Sequence, residues 1–132
     1  MSLNQYGMPS RVPAIAEIGR LLAGQQLSAA EQQRALDLLV QDHADLDEVE
    51  SQAALWAIAQ LGRSEAACAA LLACADIWLH SAELAASFLD GYTQVCGNTI
   101  VPAAAPAFAQ LQQLAQHDPE LAARLPLFEK AP

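Results

Sequence analysis

Apolar residues recur along this chain mostly at intervals of three and four, punctuated by capping residues, glycines and prolines, a pattern that predicts helices from end to end. Val12, Ile15, Ile18 and Leu22 mark a first helix that stops at Gly24, a residue type suited to the position after a helix. Ser28 and Glu31 stand in the Ser-x-x-Glu capping-box arrangement before a second helix, which carries Leu36, Leu39 and Val40 on one side and ends near His43. Asp47 and Glu50 precede SQAALWAIAQLG, where apolar residues cover almost the whole circumference before Gly62. That pattern places a third helix, with Trp56, at the centre of the core.

A short turn around Arg63 leads to Ser64, the expected cap of EAACAALLACADIWL, and so short a connection makes this fourth helix antiparallel to the third. Ser81 caps AELAASFLDGYTQVC, which runs to Gly97 despite the weakening Gly91 within it. After the loop GNTIVP, a sixth helix begins at Pro102 or at Pro106. Asp118 and Pro119 open a short seventh helix that Pro126 ends. The expected organisation is a flexible arm over 1–10, a single helical-repeat domain over 11–128 and a tail over 129–132.

The phrases HSAELAAS and HDPELAAR are nearly the same words written twice, and the spacing extends beyond them. His43, His80 and His117 stand 37 residues apart, each where one helical hairpin ends and the next begins, while Gly24, Gly62 and Gly97 close first helices at a similar interval. Two helices per unit at this period predict an all-α fold, a short right-handed α-solenoid of about three hairpins plus a C-terminal short helix. The units expected to superpose are 11–43, 47–80 and 81–117, with Leu55, Ile58, Leu61, Leu71 and Leu72 in a shared core.

Within the second unit, EVESQAALWAIAQLGRSEAACAALLACAD resembles a HEAT repeat of the short bacterial kind through Ala53, Ala54, Leu55, Ala57, Leu61 and Gly62, then Ala67, Leu71 and Leu72. The first unit lacks the double alanine and the third replaces the tight turn with GNTIVP, so the resemblance is carried by 48–76. Tetratricopeptide repeats are the competing comparison, but their Trp-Leu-Gly-Tyr pattern is missing at the right places. Either resemblance implies a protein-binding surface.

Composition narrows the partner. Fifteen acids face six bases, with a formal net charge of −9, so phosphate backbones and anionic lipid surfaces are disfavoured and a basic protein surface is favoured. No stretch approaches a membrane span and no secretory leader is evident at the N-terminus, so the expected location is cytoplasmic. Cys68, Cys74 and Cys96 lack a framework spacing and are expected to remain small buried thiols.

Candidate chemistry is sparse. One histidine per unit puts successive rings roughly 10 Å apart, too far to share an ion, so each is expected to serve a carbonyl or a helix end. His80 and Glu83 reverse the order of a Glu-x-x-His metal helix, Cys68 and Cys74 point some 240° apart, and DHADLDE lacks the central Gly and closing Glu of a calcium loop. No nucleophile–base constellation or phosphate loop is evident; no catalytic residue, metal or cofactor is expected.

One feature exceeds a plain solvated face. From Asp37 to Glu50 the chain carries six carboxylates and no Lys or Arg. Asp42, Asp45, Asp47, Glu48 and Glu50 are therefore the candidate partner-binding residues, joined by Trp78 at a helix end beside a junction. The expected function is a non-catalytic protein-binding module that neutralises or escorts its partner, as a bacterial immunity protein or a secretion chaperone does. A structural or regulatory subunit of a larger assembly is the alternative, and self-association is left open.

Overall fold

Most of the helices begin where a side chain takes over amide hydrogens that a helix start leaves unpaired, while the first and the sixth begin without such a cap and carry a proline in the first turn. The computed structural model describes residues 3–4, 7–8, 11–24, 26–41, 43–79 and 81–130, and within these the chain is all-α apart from two-residue strands. Its helices are α1 (Val12–Ala23), α2 (Ala29–Gln41), α3 (Glu48–Ala59), α4 (Glu65–Ala73), α5 (Ala82–Cys96), α6 (Ala105–Ala115) and α7 (Pro119–Arg124). Asp47, Ser64, Ser81 and Asp118 cap α3, α4, α5 and α7 through their side chains, as the sequence pattern predicts. Gly62 and Gly97 take positive φ values of 69° and 80°, where a side chain would be strained, whereas Gly24 stays right-handed at −70° and uses none of glycine's freedom.

Helix α4 is shorter than its apolar run predicts. It stops at Ala73, Cys74 donates its thiol to the Ala70 carbonyl, and a 3-10 turn over Ala75–Ile77 redirects the chain. The redirection carries Trp78 inward beneath the start of α3, where its Nε1 donates to the Ser51 carbonyl at 2.9 Å. Since α4 also begins beside the end of α5, with Ser64 N donating to Val95 O, it runs antiparallel to both α3 and α5.

Contacts among α1, α3 and α5 keep step along their lengths. Arg11 N donates to Glu50 at the start of α1 and α3, and further along Gly19 lies against Ala57, where an added Cβ would approach to 3.3 Å. Between α3 and α5, Gln52 bonds Ser87 and Leu55 lies against Gly91. Helices α1, α3 and α5 therefore lie parallel and side by side, with α2 packed on α4. The small residues Gly19 and Gly91 are what let these backbones approach.

Leu55, Ile58 and Leu71 are buried in the common core, and Leu61 and Leu72 pack against its edge. The C-terminal half adds an aromatic run. Trp78 meets Phe88 and Phe88 meets Tyr92 at 6.1 Å between centroids, and Tyr92 meets Phe108 edge-on at 5.1 Å. Tyr92 then fixes the loop after α5, its hydroxyl donating to Thr99 O and accepting from Val101 N. The tail is not loose at its start: Glu129–Lys130 pairs in parallel with Thr99–Ile100. At the other end, Leu3–Asn4 pairs with Gly7–Met8, while the remainder of the expected arm lies outside the described residues.

Candidate functional site

The acidic stretch folds as a short 3-10 turn, His43–Asp45, followed by the first turn of α3. Asp45, Asp47 and Glu48 are exposed there, and Asp42 lies outside the described residues. Asp47 accepts from Glu50 N at 2.7 Å and caps the helix, so part of its acceptor capacity is already used.

Glu50 does not belong to a docking surface. Only 8% exposed, it completes the capping box by accepting from Asp47 N at 3.1 Å and turns its other oxygen to Arg11 N at 2.8 Å. It holds the start of α1 against the start of α3. Trp78 is likewise removed from the partner-binding set. Its exposure is 0%, because the break after α4 turns it into the core and the Ser51 carbonyl satisfies its indole.

Trp56 changes places with it. Expected in the core, it is 41% exposed. Every residue from Ala53 to Ala59 is apolar, so the sequence leaves the phase of α3 undetermined; in the structure Ala54, Leu55, Ala57 and Ile58 turn inward. Trp56 instead lines a groove of about 370 Å³ between α1 and α3, together with Ala16, Gly19, Ala23, Ala53 and Ala57, and with Arg20 and Gln60. Val49, 67% exposed and missed by sequence reasoning, stands two turns before Trp56. Val49, Ala53 and Trp56 share one face of α3 by their spacing, directly after the exposed carboxylates.

The histidines divide. His43 meets a carbonyl, as expected: its Nδ1 lies 2.9 Å from the Val40 carbonyl, and its Nε2 faces Asp76, in the turn after α4, at 3.4 Å. His117 is exposed, and His80 lies outside the described residues. Among the described residues no group of three His, Cys, Asp or Glu side chains is placed to hold a metal ion.

The cysteines overturn the expectation of three thiols. Cys68 in α4 and Cys96 at the end of α5 form a disulfide, with Cα atoms 5.8 Å apart. Cys74 alone is free and buried, and desolvation pushes its thiol up to about 12, which leaves it protonated and inert.

No helix of the described residues is long and apolar enough to cross a membrane. Comparison with protein-family models, curated proteins and solved structures finds no match for this chain.

Proposed function

We propose that the chain is a non-catalytic protein-binding module, built as a short HEAT-like solenoid, that neutralises or escorts a partner in the manner of a bacterial immunity protein or secretion chaperone. The stacked-repeat reading is supported by the steady sequence offset of the contacts between hairpins: Arg11 to Glu50 spans 39 residues and Gln52 to Ser87 spans 35, close to the histidine period. A cytoplasmic setting, the one expected from the sequence, requires the Cys68–Cys96 bond to be reversible.

The observation that carries the binding reading is one continuous outer face of α3. Asp45, Asp47 and Glu48 lie exposed at its head, and Val49 and Trp56 are exposed behind them. A half-exposed Trp beside small-residue walls offers an anchor with little entropy to lose, and clustered carboxylates speed the approach of a basic surface. The partner is then a protein with an apolar side chain for the groove and Lys or Arg over the acidic turn.

The test is association kinetics with the partner captured from native extract. Asp45→Lys combined with Glu48→Lys slows association several-fold at low salt, the difference shrinks at high salt, and Trp56→Ala speeds dissociation, all with an unchanged circular dichroism spectrum. Association indifferent to salt and to all three substitutions would place the binding surface elsewhere and end this reading.

A further inference from the structure

We propose that the Cys68–Cys96 bridge is a thiol-exchange site, opened and re-formed within the native fold by low-molecular-weight thiols, rather than a fixed staple.

Three observations converge on it. Cys68 and Cys96 are only partly buried at the edge of the core, whereas Cys74 is enclosed, so the chain separates an accessible pair from an inaccessible thiol. Cys68 stands in the first turn of α4, where amide dipoles favour a negative sulfur. The third observation is a cation against the residue that follows the other cysteine. Arg63 lays its guanidinium over Gly97, next in sequence to Cys96, so closely that a Cβ there would sit 3.0 Å from Cζ and 3.1 Å from both terminal nitrogens. A positive charge in that neighbourhood stabilises the thiolate that leaves on Cys96 during exchange.

The chemistry balances without further reactants. An external thiolate attacks Cys68 Sγ, a new sulfur–sulfur bond forms there, and the Cys68–Cys96 bond breaks with its electron pair leaving on Cys96 Sγ. A second equivalent of thiol, or the other arm of a dithiol, attacks the mixed disulfide and releases Cys68. Two electrons and two protons pass to the protein, and the reagent leaves as its disulfide. Disulfide reagent and reduced protein reverse the sequence.

Other contacts span the same seam as the disulfide. Ser64 N donates to Val95 O, and α4 and α5 share a core that includes Leu71 and Leu89. The helices stay paired when the covalent link is cut.

The experiment treats the oxidised full chain with graded glutathione and, separately, dithiothreitol, quenches with an alkylating reagent and reads intact and peptide masses, while circular dichroism follows the fold. Cys68 and Cys96 become alkylated with native dichroism retained, Cys74 stays unlabelled until denaturant is added, and glutathione disulfide restores the bridged mass. Arg63→Gln slows the exchange several-fold. The proposal is overturned if Cys68 and Cys96 are labelled only together with Cys74 on unfolding, or if they are already free in protein isolated without reductant. An Arg63→Gln rate equal to that of the parent chain also overturns it.

Discussion

The two tryptophans lie at opposite ends of the same physical question. Trp78, at a helix end, occupies the inner seam beneath α3, fully buried and hydrogen-bonded, while Trp56, within the all-apolar second half of α3, lines the outer groove and is 41% exposed. Their sequence surroundings suggest the reverse. The difference teaches that burial here is decided by how one element is turned against its neighbours: the break at Cys74 rotates Trp78 inward, and the close approach of α1 at Gly19 seats Ala57, not Trp56, in the contact.

Exchanging each for alanine is the sharpest way to break that comparison. Trp78→Ala removes a fully buried indole and leaves the Ser51 carbonyl without its donor, so urea unfolding is expected to show a loss of about 3–5 kcal/mol. Trp56→Ala is expected to cost less than about 1 kcal/mol, since surface substitutions seldom cost more. Acrylamide quenching separates them independently: the variant retaining only Trp56 is quenched readily and the one retaining only Trp78 is protected. Equal losses of stability would erase the distinction between seam and groove.

The same comparison shows what could be read from the chain. Caps were legible because the signal is local: Asp47, Ser64, Ser81 and Asp118 each sit at a helix start with a free side-chain oxygen, and neighbours cannot easily overrule that. The disulfide was not legible. Its cysteines are 28 residues apart, and they meet only because α4 runs back along α5, bringing their Cα atoms to 5.8 Å. Glu50 was misread for a related reason. Its role as a cap partner follows from Asp47 three residues before it, but its burial follows from Arg11, 39 residues away. The exposed acids Asp45 and Glu48 came out on the surface, where the pattern of charge put them.

Glu50 gives the comparison its second, smaller test. Glu50→Ala strips the acceptors from Arg11 N and Asp47 N at once, and a cost of about 1–3 kcal/mol is expected in urea unfolding. Glu50→Gln keeps one oxygen and should fall between the alanine variant and the parent. Hydrogen exchange at Arg11 adds a local reading, since that amide should lose protection in Glu50→Ala even if global stability moved little. An alanine variant as stable as the parent, with Arg11 still protected, would mean that the start of α1 is held by other contacts.

The smallest effect comes from the other capping box, which repeats the chemistry of Asp47 and Glu50 in the open. Ser28 N donates to Glu31 at 2.9 Å and Glu31 N to Ser28 Oγ at 3.2 Å, with both residues exposed. The carboxyl of Glu31 is held below its ordinary value of 4.5, first by the Ser28 amide and then by the Ser28 hydroxyl. A carboxylate whose pKa is lowered on folding stabilises the fold above its unfolded pKa, and that contribution fades as pH falls through the lower, folded value. Glu31→Gln removes the charge while keeping an acceptor, so its deficit relative to the parent should be present at neutral pH and vanish on acidification through and below 4.5. Because solvent screens the site, the neutral-pH deficit should be well below that of Glu50→Ala. Thermal unfolding of the parent and of both variants across that range reads the two boxes side by side. A Glu31→Gln deficit that persists unchanged in acid, or that matches Glu50→Ala, would show that burial is not what separates the inner box from the outer one.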